Sequence, residues 1–446
     1  MREGFFVIGG SAARQIGYDG RVNSPNPRAR LLAGCFAMAI LVQTSACTLV
    51  RFDKRSVYRY DEPFAVEDDA FRRSLSNFGF TMVEGNRAEI LNNGDEIFPG
   101  ITGAIAAATK SVNLESYIFN DDKAGKIISD ALMAAARRGV EVRVLVDGTG
   151  SKFSGSLLAR MRTAGVKTAV YRPIRLWTLH KIARRTHRKI VVVDGTVSFT
   201  GGFCIGEKWL GNANGPKEWR DMMVRATGSV SAQMQAIFGE DWTFTTGEIL
   251  TGDRFYPAIP AAGSVSAQAI RASHGDSSSL AAMLYFVAVQ SARKSIHIQN
   301  AYFVPTPQIR KALIEAAKRG VDVRIMVPGR HMDQPLVRTA SRRQYGELLT
   351  AGVRIFEYSR TMMHNKDFVI DGIFSSIGSI NFDARSLHEN AEDSLAFYDR
   401  DFGARMEAVF AADERDSREI TYKDWKRRSL EQRLAEIVSS FFEPLY

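Results

Sequence analysis

With 446 residues, 45% of them hydrophobic and 24% charged, the chain exceeds the roughly 250–300 residues at which a single core stops growing. It has ample apolar content to fold, and no long tract combines the low hydrophobicity and high charge that would prevent it. Lysine and arginine outnumber acids by 59 to 49, a net +10 that favours anionic partners, lipid headgroups or nucleic acid, without choosing between them.

The first 27 residues, with scattered Gly, Pro and Asn, read as a flexible lead. From Leu31 to Val50 there is no charge, and basic residues stand on both sides: Arg28 and Arg30 before, Arg51, Lys54 and Arg55 after. Twenty such residues just span hydrocarbon, so residues 1–56 are expected to carry a membrane signal, with a buried core helix as the alternative. Thr44-Ser45-Ala46-Cys47 loosely resembles a bacterial lipoprotein cleavage box, which leaves an anchor helix and a lipid anchor at Cys47 both open. Either puts the protein at the cell membrane. Basic residues at both ends leave its orientation open. The three cysteines, Cys35, Cys47 and Cys204, suggest neither a disulfide framework nor a cysteine metal site.

The rest of the chain repeats itself. The strand-like run Val112 to Phe119 is echoed by Ile296 to Phe303. Each echo leads through an Ala-rich helical stretch to a Gly and a β-branched strand, Gly139 to Val146 in one half and Gly320 to Val327 in the other. Ala164-Gly165-Val166 and Ala351-Gly352-Val353 form a third pair. Alternating helix, Gly cap and strand predict an α/β fold, internally duplicated, with two mixed or mostly parallel sheets flanked by helices and packed face to face. The expected divisions are a first half at 57–250, a Pro-, Gly-, Ala- and Ser-rich connector at 251–279, a second half at 280–415 and a helical tail at 416–446.

In register with the duplication stand His187-Arg188-Lys189 and His364-Asn365-Lys366, each followed by an Asp, Asp194 and Asp371. On a strand, residues i and i+2 share a face, so His and Lys of each motif reach one pocket. Two imidazoles and two ammonium groups around one point suit phosphodiester exchange. One neutral histidine attacks phosphorus, the other protonates the leaving alcohol, and the lysines stabilise charge on the phosphate oxygens. No metal or cofactor is needed. By strand parity Asp194 and Asp371 point away and hold the strands in place.

Both motifs resemble the His-Lys-Asp signature of the phospholipase D superfamily. Arg185 to Asp194, followed by Gly201-Gly202, and Gly378 to Ser386 are similar to the bacterial cardiolipin synthase branch, and the similarity runs from about Asn93 to Phe410. The resemblance implies an active site at the interface of the halves, with His187, Lys189, Asp194, His364, Lys366 and Asp371 as catalytic residues. Asp221 and Glu392 are the carboxylates expected to orient the histidines, each counted to the histidine it follows. Ser379 and Asn381 are expected to bind substrate phosphate, and Cys204 departs from the family by standing where the first half should have an Asn. Arg172, Arg175, Lys181, Arg184, Arg185 and Arg188, with Leu176 and Trp177 among them, form a loop suited to anionic headgroups or a nucleic-acid backbone.

The resemblance implies a phosphatidyltransferase working through a phosphohistidine, with phospholipids and a membrane as partners, no nucleic acid, and a monomer sufficient for the site. Alternatives are a phospholipase D-type hydrolase, a nuclease of the same superfamily and a noncatalytic lipid-binding protein. Which histidine attacks is open from the residues. Family usage points to His187.

Overall fold

The computed structural model describes residues 58–440 except 62–63, 153, 175–183 and 274–278. The apolar stretch 31–50, Cys35, Cys47 and the loop residues Arg175, Leu176, Trp177 and Lys181 lie outside the described residues. In chain order the strands of the first half are β1 (Val83–Asn92), β2 (Ser111–Ser116), β3 (Glu141–Asp147), β4 (Lys167–Tyr171), β5 (Lys189–Val193), β6 (Val197–Gly201) and β7 (Met222–Thr227). Those that follow are β8 (Val265–Ala272), β9 (Ser295–Asn300), β10 (Asp322–Pro328), β11 (Arg354–Tyr358), β12 (Lys366–Ile370), β13 (Phe374–Gly378), β14 (Glu392–Tyr398) and β15 (Ser417–Ile420).

Hydrogen bonding joins these into one sheet, ordered β15-β11-β10-β9-β12-β13-β14-β8-β1-β7-β6-β5-β2-β3-β4. Read outward from the β8–β1 junction, the halves share one plan, so β2 matches β9 and β5 matches β12. The sheet is mixed. Among the described residues the parallel pairs are only β2–β3, β3–β4, β9–β10 and β10–β11, so parallel pairing is confined to the outer strands and antiparallel pairing dominates. The outer strands are parallel because helices cross between them. Lys123–Arg137 links β2 to β3 and Pro307–Lys318 links β9 to β10, each followed by a glycine at φ +91° (Gly139, Gly320) that ends the helix.

The two halves of the sheet do face each other, as expected, although they are one sheet. At the junction only Val83↔Ala267 and Asn86↔Val265 pair, and the register slips between them, a bulge that bends the sheet. Asn86 is fully buried there and donates through Nδ2 to Val83 O (2.8 Å) and Val265 O (3.1 Å). Across the fold, Ile190, Val192 and Val224 of the first half pack with Val369, Ile377 and Leu395 of the second in one core.

Three segments differ from expectation. Residues 251–279, read as a connector, contain β8, whose seven registered pairs with β14 make it part of the second half's sheet. Small residues in Val-Ser-Ala-Gln-Ala-Ile-Arg-Ala hide the strand, because it is buried along most of its length and needs little bulk. The tail begins with β15, antiparallel to β11, before it turns helical. The segment before β1 packs its Val66, Phe71 and Leu75 into the core around β9 and β10, so it belongs spatially to the second half.

Candidate active site

The site forms where the two motif strands begin. His187 and His364 lie two residues before β5 and β12, and the backbone of each is joined to the opposite half. His187 N donates to Ala391 O (2.8 Å) and Ala391 N to Arg185 O (2.9 Å); His364 N donates to Arg220 O (2.7 Å) and Arg220 N to Met362 O (2.8 Å). These bridges bring each histidine beside a carboxylate from the other half. His187 Nδ1 lies 2.8 Å from Glu392 Oε2 and 3.0 Å from Oε1, and His364 Nδ1 lies 2.9 Å from Asp221 Oδ2. The expected carboxylates are both present, but with partners exchanged: counting along the chain paired Asp221 with His187 and Glu392 with His364.

With Nδ1 held, each ring is left to work through Nε2. Both histidines line one cavity of about 490 Å³ together with Tyr117, Cys204, Trp219, Tyr302, Asn381, Arg185 and Arg385. Each lysine stands beside a tyrosine of the cavity wall. Lys189 Nζ donates to His187 O (2.5 Å) and sits 5.7 Å from the Tyr117 ring centre, while Lys366 Nζ donates to His364 O (2.6 Å) and sits 5.5 Å from that of Tyr302. Burial, reinforced by Lys189 and Lys366, holds the His187 pKa well below its ordinary value. Burial and Lys366 also lower that of His364, with Asp221 opposing them. Lys366 is pushed down to about 8 by burial, again against Asp221. Without bound phosphate the imidazoles are therefore neutral near neutral pH, able to attack or to collect a proton when a phosphate brings negative charge.

Residues 101–242 and 285–414 match the family described as cardiolipin synthase, PLD-like domain. A cardiolipin synthase of Geobacillus kaustophilus (strain HTA426) is 35% identical over 408 residues, 88% of this chain and 81% of that protein. Another, of Geobacillus sp. (strain WCH70), is 38% identical over 360 residues, 80% of this chain and 72% of that protein. The chain belongs to the cardiolipin synthase family. The crystal structure of phosphatidylserine synthase from Haemophilus influenzae Rd KW20 shares the fold at a TM-score of 0.65, with 15% identity over 84% of this chain and 97% of that one.

Within this family frame the two half-sites are unequal. Glu392 is held by Ser379 Oγ (2.6 Å), Ser386 Oγ (2.8 Å) and Asn390 Nδ2 (3.3 Å). Asp221 is held by Trp209 Nε1 and by Met222 N, both at 2.8 Å. Ser379, expected to bind phosphate, is instead fully buried against Glu392 and acts on the histidine through it. Asn381 does face the cavity, with Nδ2 3.4 Å from Ser386 Oγ and Oδ1 buried without a hydrogen-bond partner among the described residues. Cys204 also lines the cavity, and burial raises its pKa, which keeps it a neutral thiol.

Asp194 and Asp371, counted among the catalytic residues, do not line the cavity. Both have left-handed φ, +51° and +53°, and both tie down the far end of the neighbouring strand. Asp194 accepts from the amides of Thr109 (2.9 Å), Lys110 (2.7 Å) and Ser111 (2.9 Å), at the start of β2. Asp371 accepts from those of Arg293 (2.9 Å), Lys294 (2.7 Å) and Ser295 (2.9 Å), at the start of β9. They tie down the strands that carry the site from turns just past the ends of β5 and β12.

Of the basic loop, Arg188 is not available to a headgroup. It is buried, 2.9 Å from Asp241 and 3.3 Å from Glu240, and its Nε reaches Glu392 O at 3.4 Å. Arg185 is buried too, but faces the cavity, 3.7 Å from Asp147. Tyr117, Tyr302, Trp209 and Trp219 were not singled out from the sequence. Tyr117 and Tyr302 stand inside the repeated strand runs and Trp219 two residues before Asp221, but nothing in their spacing marks them. Among the described residues no three His, Cys, Asp or Glu side chains are arranged to hold a metal ion.

Proposed function

We propose that the chain transfers a phosphatidyl group from one phospholipid to the alcohol of another, as a cardiolipin synthase does, through a phosphohistidine. The observation that carries this is a single cavity faced by two histidines, each oriented by a buried carboxylate of the opposite half. Neutral His187 attacks the phosphorus of the first lipid through Nε2, and the bond to its headgroup alcohol breaks. His364, protonated and stabilised by Asp221, gives its proton to the departing alkoxide. The second lipid's hydroxyl then returns a proton to His364 as its oxygen attacks phosphorus, and His187 leaves. Lys189 and Lys366 offset charge on the phosphate oxygens, which Asn381 faces. Each proton transfer is worth roughly 10²–10⁴ in rate.

Membrane association is part of this reading, through the 31–50 segment as an anchor helix or through a lipid at Cys47. Among the described residues no helix is long and apolar enough to cross a membrane. The test is lipid analysis of a host without cardiolipin that expresses the full chain. New cardiolipin supports transfer. Phosphatidate alone would make the protein a hydrolase, and DNA cleavage without any lipid change a nuclease.

A further inference from the structure

The last described helix, Leu430–Ser440, is turned inside out. Four apolar residues, Leu430, Leu434, Ile437 and Val438, are 72%, 55%, 52% and 55% exposed, whereas Glu436 and Ser439 are buried. At 100° per residue the four exposed residues form one stripe and the two buried ones lie on the opposite side. The inward face is polar for a visible reason. Glu436 accepts from Arg428 Nε at 2.8 Å, and the Arg428 guanidinium lies 3.7 Å from the Trp425 ring centre, so an ion pair and a cation–π contact fasten the helix. An apolar stripe so placed costs solubility unless something apolar covers it.

Charge identifies the cover. From Tyr422 to Ser440 there are five basic residues against three acidic, and with Arg428 and Glu436 paired to each other four bases remain against two acids. Lys423, Lys426, Arg427 and Arg433 are exposed. The helix itself carries Arg433 against Glu431 and Glu436, and the other exposed cations, Lys423, Lys426 and Arg427, stand in the segment that leads into it. An apolar stripe entered through such a basic segment suits the interface of an anionic bilayer, where the stripe enters the acyl boundary and the cations meet the headgroups. Its seat also matters. The helix packs on Pro335–Thr350, whose first turn supplies Val337 to the wall of the active-site cavity. Trp425 Nε1 secures the same support by donating to Arg342 O (2.8 Å).

We propose that the outward face of helix Leu430–Ser440 is a docking surface for anionic phospholipid bilayers, separate from any N-terminal anchor, which holds the catalytic body against the lipid it consumes. The choice of lipid rests on the function proposed above. The test reads binding without turnover, so the two fail separately.

Hydrogen–deuterium exchange of the full-length protein is followed at peptides covering 430–440, with phosphatidylglycerol vesicles, with phosphatidylcholine vesicles and without lipid. Phosphatidylglycerol should slow exchange there about tenfold and phosphatidylcholine much less. The variant Leu434→Glu/Ile437→Glu should abolish the slowing. It should also lose about tenfold in turnover of bilayer phosphatidylglycerol while turning over a short-chain, monomeric phosphatidylglycerol as wild type does. Exchange indifferent to phosphatidylglycerol would overturn the proposal. So would protection without lipid that grows with protein concentration, since the stripe would then be covered by a second copy.

Discussion

His187 takes its carboxylate from Glu392, 2.8 Å from Nδ1 and 205 residues further along the chain. The nearer carboxylate in sequence, Asp221, serves His364 instead. Neither half therefore contains a complete histidine–carboxylate pair, and correct packing of the halves is a condition of chemistry at either imidazole. Glu392→Gln and Asp221→Asn should each lower kcat by roughly a hundredfold or more with a small change in KM, because the amide neither fixes the tautomer nor stabilises the imidazolium. Steady-state kinetics check this. The exchanged pairing adds that His187→Ala/Glu392→Gln should be no worse than His187→Ala alone.

The protonation state of the two histidines gives a second expectation. Burial and the neighbouring lysines lower the pKa of both histidines, so near pH 7 both are neutral. Catalysis needs one of them protonated, and a bound phosphodiester supplies the negative charge that makes this favourable. Binding should therefore take up a proton and weaken as pH rises. It should weaken further above about 8, where Lys366 loses its charge. Calorimetric titration of a short-chain phospholipid in buffers of different ionisation enthalpy measures the uptake directly. No uptake between roughly pH 6 and 8 would mean that the proton is already in place before substrate arrives.

Gly202 stands in the first half where Ser379 stands in the second, and the two positions are not interchangeable. A Cβ at Gly202 would lie 2.3 Å from Asp221 Oδ1 and 2.5 Å from His364 O, closer than real contacts allow. Gly202→Ala should push Asp221 off His364 and cost at least roughly tenfold in kcat. Ser379→Ala, which removes one of several donors to Glu392, should cost about 1 kcal/mol or a little more. Kinetics on both variants, with thermal melting to separate loss of fold, decide between these outcomes.

Arg220 and Asp413 form a buried ion pair across the halves, 2.9 Å apart, on the segment whose carbonyl holds His364 N. Asp413→Asn would leave the guanidinium buried with its charge unmatched. Urea unfolding should show a loss of about 3–5 kcal/mol, with turnover reduced beyond what unfolding explains.

What the sequence made legible was what repeats. The duplicated strands and the helix-ending glycines stand where their patterns put them, and the two His-x-Lys motifs stand at the starts of matching strands, because burial and strand periodicity act over a few neighbouring residues. What it hid was set by contacts between distant segments. The bridges Thr186↔Ala391 and Arg220↔Met363, which exchange the carboxylates, leave no mark in local pattern. β8 escaped notice because a buried strand between two others can be built of Ala and Ser. Trp209 escaped because its task, donating to Asp221, depends on a loop fold and not on spacing.

The two histidines differ in ways that support the roles proposed for them. The His187 side chain is 12% exposed and that of His364 5%, so His187 is the more open to an incoming phosphorus. Burial, Lys189 and Lys366 all disfavour a charged His187, as a nucleophile requires; burial and Lys366 disfavour a charged His364 as well, but Asp221 opposes them, as an acid requires. With a phosphodiester whose leaving group is p-nitrophenol, departure needs no proton. His364→Ala should then still form the phosphohistidine and release it slowly, and Asp221→Asn should behave in the same way. His187→Ala should form none, and Glu392→Gln should form it slowly even with this substrate, because the nucleophile itself has lost its orienting partner. Early acid quench followed by mass spectrometry of the active-site peptides reads the adduct. Its appearance on the peptide containing His364 would reverse the roles, and then Asp221, not Glu392, would be the carboxylate that serves the attack.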